Sequence, residues 1–452
     1  MPIYKREATI ILNSLNAGVV PRFGLRHIAV GRLREIAAIK QDLDCIREGG
    51  STVRFVIGRF GSGKSFLLQL ARSYALENKF VVADADFSPE RRLCGSDGQA
   101  LAIYRELMKN LSTQTRPDGN ALPAIIERWI SNIQATVSTR TGLTNTAPEL
   151  VTAVKSEVMK TINNMQELVH GFDFGTVVSS YYQGYQEGNE ELKKNAIRWL
   201  RGEFNTQSEA RAALGVRSII DDDNFYDYLK VIARFAHDVG YSGLLICMDE
   251  SVNLYKITNS VARNNNYEKI LSIVNDCLQG RGGYFGFIFG GTPEFLEDQH
   301  RGLFSYEALR TRLTVSKFAN GDLQDFSGPV IHLPPLTPEE IFLLLQKVQD
   351  IHHECMSGSR SLEEAAILAY MEESLRRIGA KEFSTPRDLV RDFVSLLNLL
   401  MQYPDKSLQE IIKGLPTPAA QAENTFSASP KDKNKAESSE PSERFTDFKV
   451  KG

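Results

Sequence analysis

Five short, largely apolar runs punctuate the chain: Val53–Ile57, Phe80–Ala83, Leu244–Met248, Phe285–Phe289 and Val330–Leu333. Runs of this length, rich in β-branched and aromatic residues, read as strands buried on both faces. Helically spaced stretches lie between them, and that alternation predicts an α/β fold with a parallel sheet covered on both sides. Between Gln99 and Val239 no run reads as a buried strand. Spacing such as Ala102-Ile103-Tyr104-Arg105-Glu106-Leu107-Met108 predicts helices there. The stretch is far longer than a crossover needs, so 99–239 is expected to form a large helical insertion. It divides the sheet core into a first part, 51–98, and a second, 240–334.

Residues 1–50 read as a lead-in, with a loop at Val19–Gly24 and a helix opening at Val30 and running to about Glu48. After Pro334-Pro335, the string Thr337-Pro338-Glu339-Glu340 carries helix-start chemistry: a threonine cap, proline in the first turn and acids behind it. Helices are expected to continue to about Lys413, making 335–415 a C-terminal helical lid. From Pro416 the composition shifts. The tail 416–452 holds four of the seventeen prolines, is rich in Ser, Ala, Lys and Glu, and is expected to be disordered. Its last apolar residues, Phe445, Phe448 and Val450, read either as a short partner-binding motif or as part of an inert tail.

The first strand runs directly into Gly58-Arg59-Phe60-Gly61-Ser62-Gly63-Lys64-Ser65, a complete G-x-x-x-x-G-K-S, followed by the helical Phe66-Leu67-Leu68-Gln69-Leu70-Ala71. Strand, glycine-rich loop and helix start together present backbone N–H groups and a positive helix end to phosphate oxygens. In this pattern Lys64 reaches the β/γ-phosphates and the Ser65 hydroxyl holds Mg²⁺. The third strand ends in Asp249-Glu250. One carboxylate placed there would hold the metal and the second would direct the attacking water, which assigns Asp249 to Mg²⁺ and Glu250 to base catalysis.

Three further groups are candidates. Thr292 follows the fourth strand, where open α/β sheets place groups facing a ligand, and is expected to sense the γ-phosphate or the water. Arg310 and Arg312 in Leu309-Arg310-Thr311-Arg312-Leu313 are both candidates for an arginine that reaches a neighbouring subunit's γ-phosphate, and sequence does not choose between them. A finger needs a partner, so a homo-oligomer is expected. In Ser384-Thr385-Pro386-Arg387, a capped helix start, Arg387 is placed to fold from the lid onto the phosphates of its own subunit, with a local pairing to Glu382 or Asp388 as the plainer reading.

Phosphate loop, Asp-Glu strand, post-strand threonine, paired arginines, Pro-Pro-Leu linker and Pro-Arg lid stand in the order of the AAA+ ATPases, and the chain resembles their initiator-like branch. Longer strings narrow the likeness. They are Leu15-Asn16-Ala17-Gly18-Val19-Val20-Pro21-Arg22, Trp199-Leu200-Arg201-Gly202-Glu203, Asp249-Glu250-Ser251-Val252-Asn253-Leu254-Tyr255-Lys256 and Gly291-Thr292-Pro293-Glu294-Phe295-Leu296. They resemble the ATP-binding proteins of BREX phage-exclusion systems, the smaller BrxD-like members, from about residue 10 to 400. That resemblance implies an AAA+-type P-loop core, ATP with Mg²⁺, and Ile28 and Val30 beside the adenine next to the Gly31-Arg32 pair. It also implies bacterial defence against foreign DNA beside a helicase or other large effector.

Composition adds limits. The chain of 452 residues has 42% hydrophobic and 24% charged residues and a formal charge of −3, so any contact with double-stranded DNA must come from a local patch. Lys194, Arg198 and Arg201 share one helical face, but Glu190, Glu191 and Glu203 offset them, which favours a solvated helix, and Trp199 reads as a core anchor. Five scattered cysteines without a C-x-x-C pair fit reduced thiols in a cytoplasm. No apolar run approaches a membrane span, so no membrane partner is expected. Two other activities fit the same motifs: a slow nucleotide switch that docks a protein partner, and a DNA-binding loader whose grip ATP controls.

Overall fold

The computed structural model describes residues 3–95, 98–143, 148–165, 170–316, 324–356, 361–377 and 385–413. The tail 416–452, with Phe445, Phe448 and Val450, lies outside them, as do Glu382 and Ser384. Helices α1 (Lys5–Asn16), α2 (Leu25–Ile28) and α3 (Leu33–Arg47) lead to β1 (Ser51–Ile57), α4 (Lys64–Glu77) and β2 (Val81–Asp86). The next stretch is helical: α5 (Gln99–Lys109), α6 (Leu122–Thr141), α7 (Pro148–Met165), α8 (Gly171–Glu187), α9 (Glu190–Leu200), α10 (Gln207–Leu214) and α11 (Phe225–Asp238). Then come β3 (Leu244–Asp249), α12 (Val252–Tyr255), α13 (Ser260–Leu278), β4 (Phe285–Gly291), α14 (Pro293–Glu297), α15 (Glu307–Leu313) and β5 (Val330–His332). The chain closes with α16 (Pro338–Cys355), α17 (Glu364–Arg377), α18 (Pro386–Gln402) and α19 (Leu408–Lys413).

The five strands form one parallel sheet in the order β2-β3-β4-β1-β5, the arrangement of a P-loop NTPase-like α/β fold. Side chains alternate across it with the two-residue period of a strand. Val56, Val82, Leu245, Ile288 and Ile331 pack under α3 and α4 on one face. Val53, Phe55, Ile57, Ala83, Ile246, Phe287 and Phe289 face the other way. There Phe55 and Phe287 stack on Phe289, with ring centroids 5.1 and 5.9 Å apart. Each buried ring of this kind contributes about 2 kcal/mol.

The helical stretch packs on that second face and shares its core, with Trp129, Phe174, Trp199, Tyr228 and Phe235 in the same cluster as the strand residues. Trp199 is buried, meets Tyr228 edge-on and donates its indole N–H to the Ser218 carbonyl at 2.9 Å. A third core joins elements from opposite ends of the chain. Ile11 and Leu12 of α1 pack with Leu345, Val348 and Ile351 of α16 and Phe393 and Leu397 of α18. The N-terminal residues are therefore part of the C-terminal helical bundle. Among the described residues no helix is long and apolar enough to cross a membrane.

Two boundaries shift by three residues from the sequence expectation, and one helix is additional. β2 runs past Ala83 through Asp84 and Asp86, because Asp84 accepts from the buried Arg72 of α4 at 3.2 Å and its charge is thereby tolerated in the ladder. α3 opens at Leu33 instead of Val30, because Gly31 and Arg32 both take positive φ, 62° and 60°. The additional helix is α1, Lys5–Asn16, which the apolar pattern of the lead-in does not mark. It buries only Ala8, Ile11 and Leu12 on a narrow stripe.

Arg54 ties the sheet to its surroundings. From β1 it forks onto Asp42 of α3 at 2.6 and 2.8 Å and donates to the carbonyls of Phe326, at 2.8 Å, and Gly328 ahead of β5. Burial nevertheless pushes the Asp42 carboxyl up, against the pull of Arg54, so desolvation offsets much of the attraction. Breaking one side should cost more than removing both. Arg54→Met is expected to lower unfolding stability by about 3 kcal/mol in denaturant titration, and Arg54→Met with Asp42→Leu to recover most of it.

Candidate functional site

The loop after β1 lies at the carboxyl edge of the sheet. Gly58 N–H donates to the Gly291 carbonyl at 3.1 Å, which ties the loop's first residue to the end of β4. Gly58 also has no room for a side chain: a Cβ there would stand 2.2 Å from Ser62 Oγ. Gly61 and Gly63 take φ of 79° and 91°, a region that side chains disfavour, and Gly63 caps the start of α4. Space is open in front of Gly63. Ser62 N–H closes the turn onto the Arg59 carbonyl at 3.1 Å, and the Ser62 hydroxyl is buried without a partner.

Lys64 Nζ donates to the carbonyls of Gly58 and Arg59, each at 3.0 Å. Burial pushes this ammonium below its usual range, while Asp249, Glu250 and Glu294 pull it back. Ser65 Oγ donates to Asp249 Oδ2 at 2.6 Å, and the other oxygen of Asp249 accepts from Glu250 N–H at 2.8 Å. Glu250 itself holds φ of 56°, a left-handed turn that costs a side-chain-bearing residue about 1 kcal/mol or more. Asp86 is the ladder partner of Asp249, and its carboxyl is raised by burial first and then by Asp249 and Glu250.

A pocket opens beside the loop. It is lined by Phe60, Gly61, Ser62, Gly63, Lys64 and Ser65, by Glu250, by Ile28, Val30 and Arg32, and by Pro386, Arg387 and Val390 of α18. The rest of its wall is mostly apolar and includes Val19, Val20, Pro21 and Leu344. The fold thus brings Ile28, Val30 and Arg387 together with the phosphate loop across more than 300 residues of chain. Thr385, whose hydroxyl accepts from Asp388 N–H and caps α18, also abuts Gly61, where a Cβ would meet it at 2.8 and 2.9 Å.

Arg32 and the 18–21 segment are the parts that sequence reasoning missed. The Gly31-Arg32 pair was visible, but the use of the arginine side chain was not. It is nearly buried, 10% exposed, and donates to the Ser62 carbonyl at 3.2 Å and to the Pro334 carbonyl, beside Glu35 at 3.5 Å. No periodicity marks Val19, Val20 and Pro21 as wall residues, since they sit in irregular chain.

Six candidates are not among the lining residues: Gly58, Arg59 and Asp249, each bonded to Lys64 or Ser65 of the lining, and Thr292, Arg310 and Arg312, which stand apart from it. Thr292 follows β4, and its hydroxyl accepts from Phe295 N–H at 3.4 Å as the cap of α14. Arg310 on α15 lies 3.7 Å from Glu307, and Arg312 donates to the Ala308 carbonyl of its own helix at 2.8 Å. On α9, the basic face is largely engaged internally. Arg198 pairs with Glu209 at 3.0 Å and lies over Phe204, and Arg201 donates to Asn120 at 3.2 Å, while Lys194 is exposed.

The residues present suit a phosphate-bearing ligand with a hard cation. Two positive-φ glycines, a helix N-terminus and an ammonium surround open space. Among the described residues no three His, Cys, Asp or Glu side chains group to hold a metal by themselves. One hydroxyl and one carboxylate, Ser65 and Asp249, form the partial set that Mg²⁺ uses when phosphates and waters complete its shell.

Compared with known families, the chain matches, over residues 3–415, the one described as BREX system ATP-binding protein BrxC/D. No curated protein matches it.

The pair of Ser65 and Asp249 is closely packed at Gly290 of β4, where a Cβ would stand 2.4 Å from Asp249 Oδ1. Gly290→Ala is therefore expected to turn the carboxylate away from Ser65 and weaken Mg²⁺-dependent ATP binding about tenfold. Titration with a fluorescent ATP analogue, with and without Mg²⁺, reads the effect. Unchanged Mg²⁺ dependence would count against Asp249 as a metal ligand.

Proposed function

The chain belongs to the BREX ATP-binding protein family BrxC/D, and on that premise we propose that it is a Mg²⁺-dependent ATPase of the AAA+ type, working in phage defence in the cytoplasm. The observation that carries the reading is the contact of Ser65 Oγ with Asp249 Oδ2 at 2.6 Å, with Glu250 next in chain and facing the same pocket as the phosphate loop. A hydroxyl and two carboxylates at the end of neighbouring elements supply what phosphoryl transfer to water asks of a protein: charge neutralisation and a placed nucleophile.

In this reading the base rests against Ile28 and Val30, and the phosphates lie over Gly58, Arg59, Phe60, Gly61, Ser62 and Gly63. Lys64 offsets phosphate charge once it leaves the loop carbonyls it now contacts. Ser65 and Asp249 would hold Mg²⁺, which supplies charge stabilisation to the phosphates. Glu250 orients and deprotonates water, and Arg387 reaches in from α18, the lid helix. Thr292, at the end of β4 beside β3, would sense the γ-phosphate or the water. Arg310 or Arg312 serves a neighbour's site in a homo-oligomer, consistent with neither lining the pocket of its own chain. The ATP state is coupled to double-stranded DNA or to a helicase-like or other defence partner.

The direct test is ATP turnover by the wild type, Lys64→Ala and Glu250→Gln, with and without double-stranded DNA. Lys64→Ala is expected to weaken ATP binding about tenfold or more through loss of a charge-assisted contact. Glu250→Gln should keep binding and lose about 100-fold or more of the turnover. Normal turnover by Glu250→Gln would sink the assigned base. Tight ATP binding with negligible turnover that DNA does not change would replace the motor by a nucleotide switch.

The trans role of α15 is tested separately, in the assembled state. Loss of turnover in Arg310→Ala or Arg312→Ala, restored by mixing with Lys64→Ala subunits, is the expected outcome. Full activity of both variants in the assembly would overturn it.

A further inference from the structure

Arg32 occupies a backbone conformation that costs an arginine more than it would cost glycine. Its φ is 60°, directly after Gly31 at 62°, so the chain makes two left-handed steps before α3 begins. What that position provides is the reach of the guanidinium. It donates to the carbonyl of Ser62, inside the phosphate loop, and to the carbonyl of Pro334, in the linker between β5 and α16. Glu35, one helical turn on and itself buried, flanks it at 3.5 Å. Both bonds leave one terminal nitrogen while the other faces Glu35, so the planar group is held at three points; a lysine has a single nitrogen and no such plane.

Both carbonyls sit at mechanically informative places. The peptide plane between Ser62 and Gly63 is rigid and trans, so holding the Ser62 carbonyl on one side fixes the direction of the Gly63 N–H on the other. That N–H belongs to the loop's last glycine, where space is open. Pro334 leads through Pro335 and Leu336 to the capped start of α16, where Thr337 and Glu340 bond each other reciprocally. The same helix grips the segment before Arg32. Lys347 donates to the Ala29 carbonyl, and the Glu340 carboxylate lies so close to Gly31 that a Cβ there would stand 2.1 Å from it.

We propose that Arg32 is a positioning residue that couples occupancy of the phosphate loop to the placement of α16 and the helical bundle attached to it. The proposal rests on the ATP-binding reading and adds a route for it. Ligand that reorients the Ser62–Gly63 peptide shifts the guanidinium, and the guanidinium carries that shift to the Pro334 carbonyl. α1 and α18 share a core with α16, so they respond with it. Arg387 on α18 faces the same pocket, which makes the bundle's response a change at the pocket's far wall.

The test is hydrogen exchange by mass spectrometry on the full chain with Mg²⁺ and ATPγS, combined with nucleotide titration, for the wild type, Arg32→Lys and Arg32→Met. Wild type is expected to gain protection both in the phosphate loop and in residues 336–345 on nucleotide binding. Each variant is read at the nucleotide concentration that saturates it, where Arg32→Lys and Arg32→Met should both keep the loop protection. Both should lose most of the protection in residues 336–345, even at saturating nucleotide. Unliganded exchange across β1, β3 and β4 checks that each variant is folded, and Arg32→Lys, the milder change, decides the matter if Arg32→Met is not. Full nucleotide-induced protection of residues 336–345 in Arg32→Lys overturns the coupling. So does a variant whose affinity falls more than tenfold but whose protection returns at saturation, since Arg32 would then act on the nucleotide directly. A wild type that binds no ATP brings down the ATP-binding reading itself, whereas failure confined to the 336–345 response leaves that reading standing.

Discussion

The phosphate loop, Asp249 and Glu250 meet because β1, β4 and β3 run parallel in one ladder, so that all three end at the same edge. Ile57 is paired with Gly291, and Asp86 with Asp249. Parallel strands cannot be joined by tight turns, so each returns through a helix and begins again at the far edge. Loops that leave the carboxyl ends are thereby collected on one side: the glycine loop after β1, Asp249-Glu250 after β3 and Thr292 after β4. The contact of Ser65 with Asp249 across 184 residues follows from that geometry. Replace the parallel ladder by an antiparallel one and half of these ends would move to the opposite edge.

The second organising contact is the core formed by the two ends of the chain. Ile11 and Leu12 lie against Phe393 and Leu397, so the first helix is carried by the last ones. Between that bundle and the sheet lies the pocket, with a wall from each: Gly61 and Lys64 on the sheet side, Pro386 and Val390 on the bundle side. Contact across it is close at Gly61 and Thr385, where the phosphate loop has no room for a side chain. A pocket at the boundary of two cores responds when one moves against the other, because neither core needs to be repacked.

Charge is distributed accordingly. The carboxyl edge gathers Asp86, Asp249 and Glu250, and their mutual repulsion with burial raises Asp86. Lys64 lies among these acids, and backbone carbonyls hold it in place. By contrast, Arg198 of α9 pairs with Glu209 and Arg201, just after the helix, donates to Asn120 within the chain. Lys64 and Glu250 thus bring charge of both signs to the pocket, while the helical stretch contributes a deep aromatic core.

Local pattern alone determined the parallel α/β class, the strand positions to within a few residues and the phosphate loop. Those depend on short-range rules: buried parallel strands need unbroken apolar runs, and a phosphate cradle needs glycines at fixed offsets. The start of α16 was equally legible, since Thr337, Pro338 and Glu340 act within one turn of helix. Tertiary structure decided the rest. It joined α1 to α16 and α18, because a narrow apolar stripe on α1 does not say which distant stripe will cover it. It extended β2 through Asp84, because the arginine that neutralises that acid comes from another element. It also set Arg32 between Ser62 and Pro334, since a backbone carbonyl carries no residue identity and so leaves no mark in a sequence.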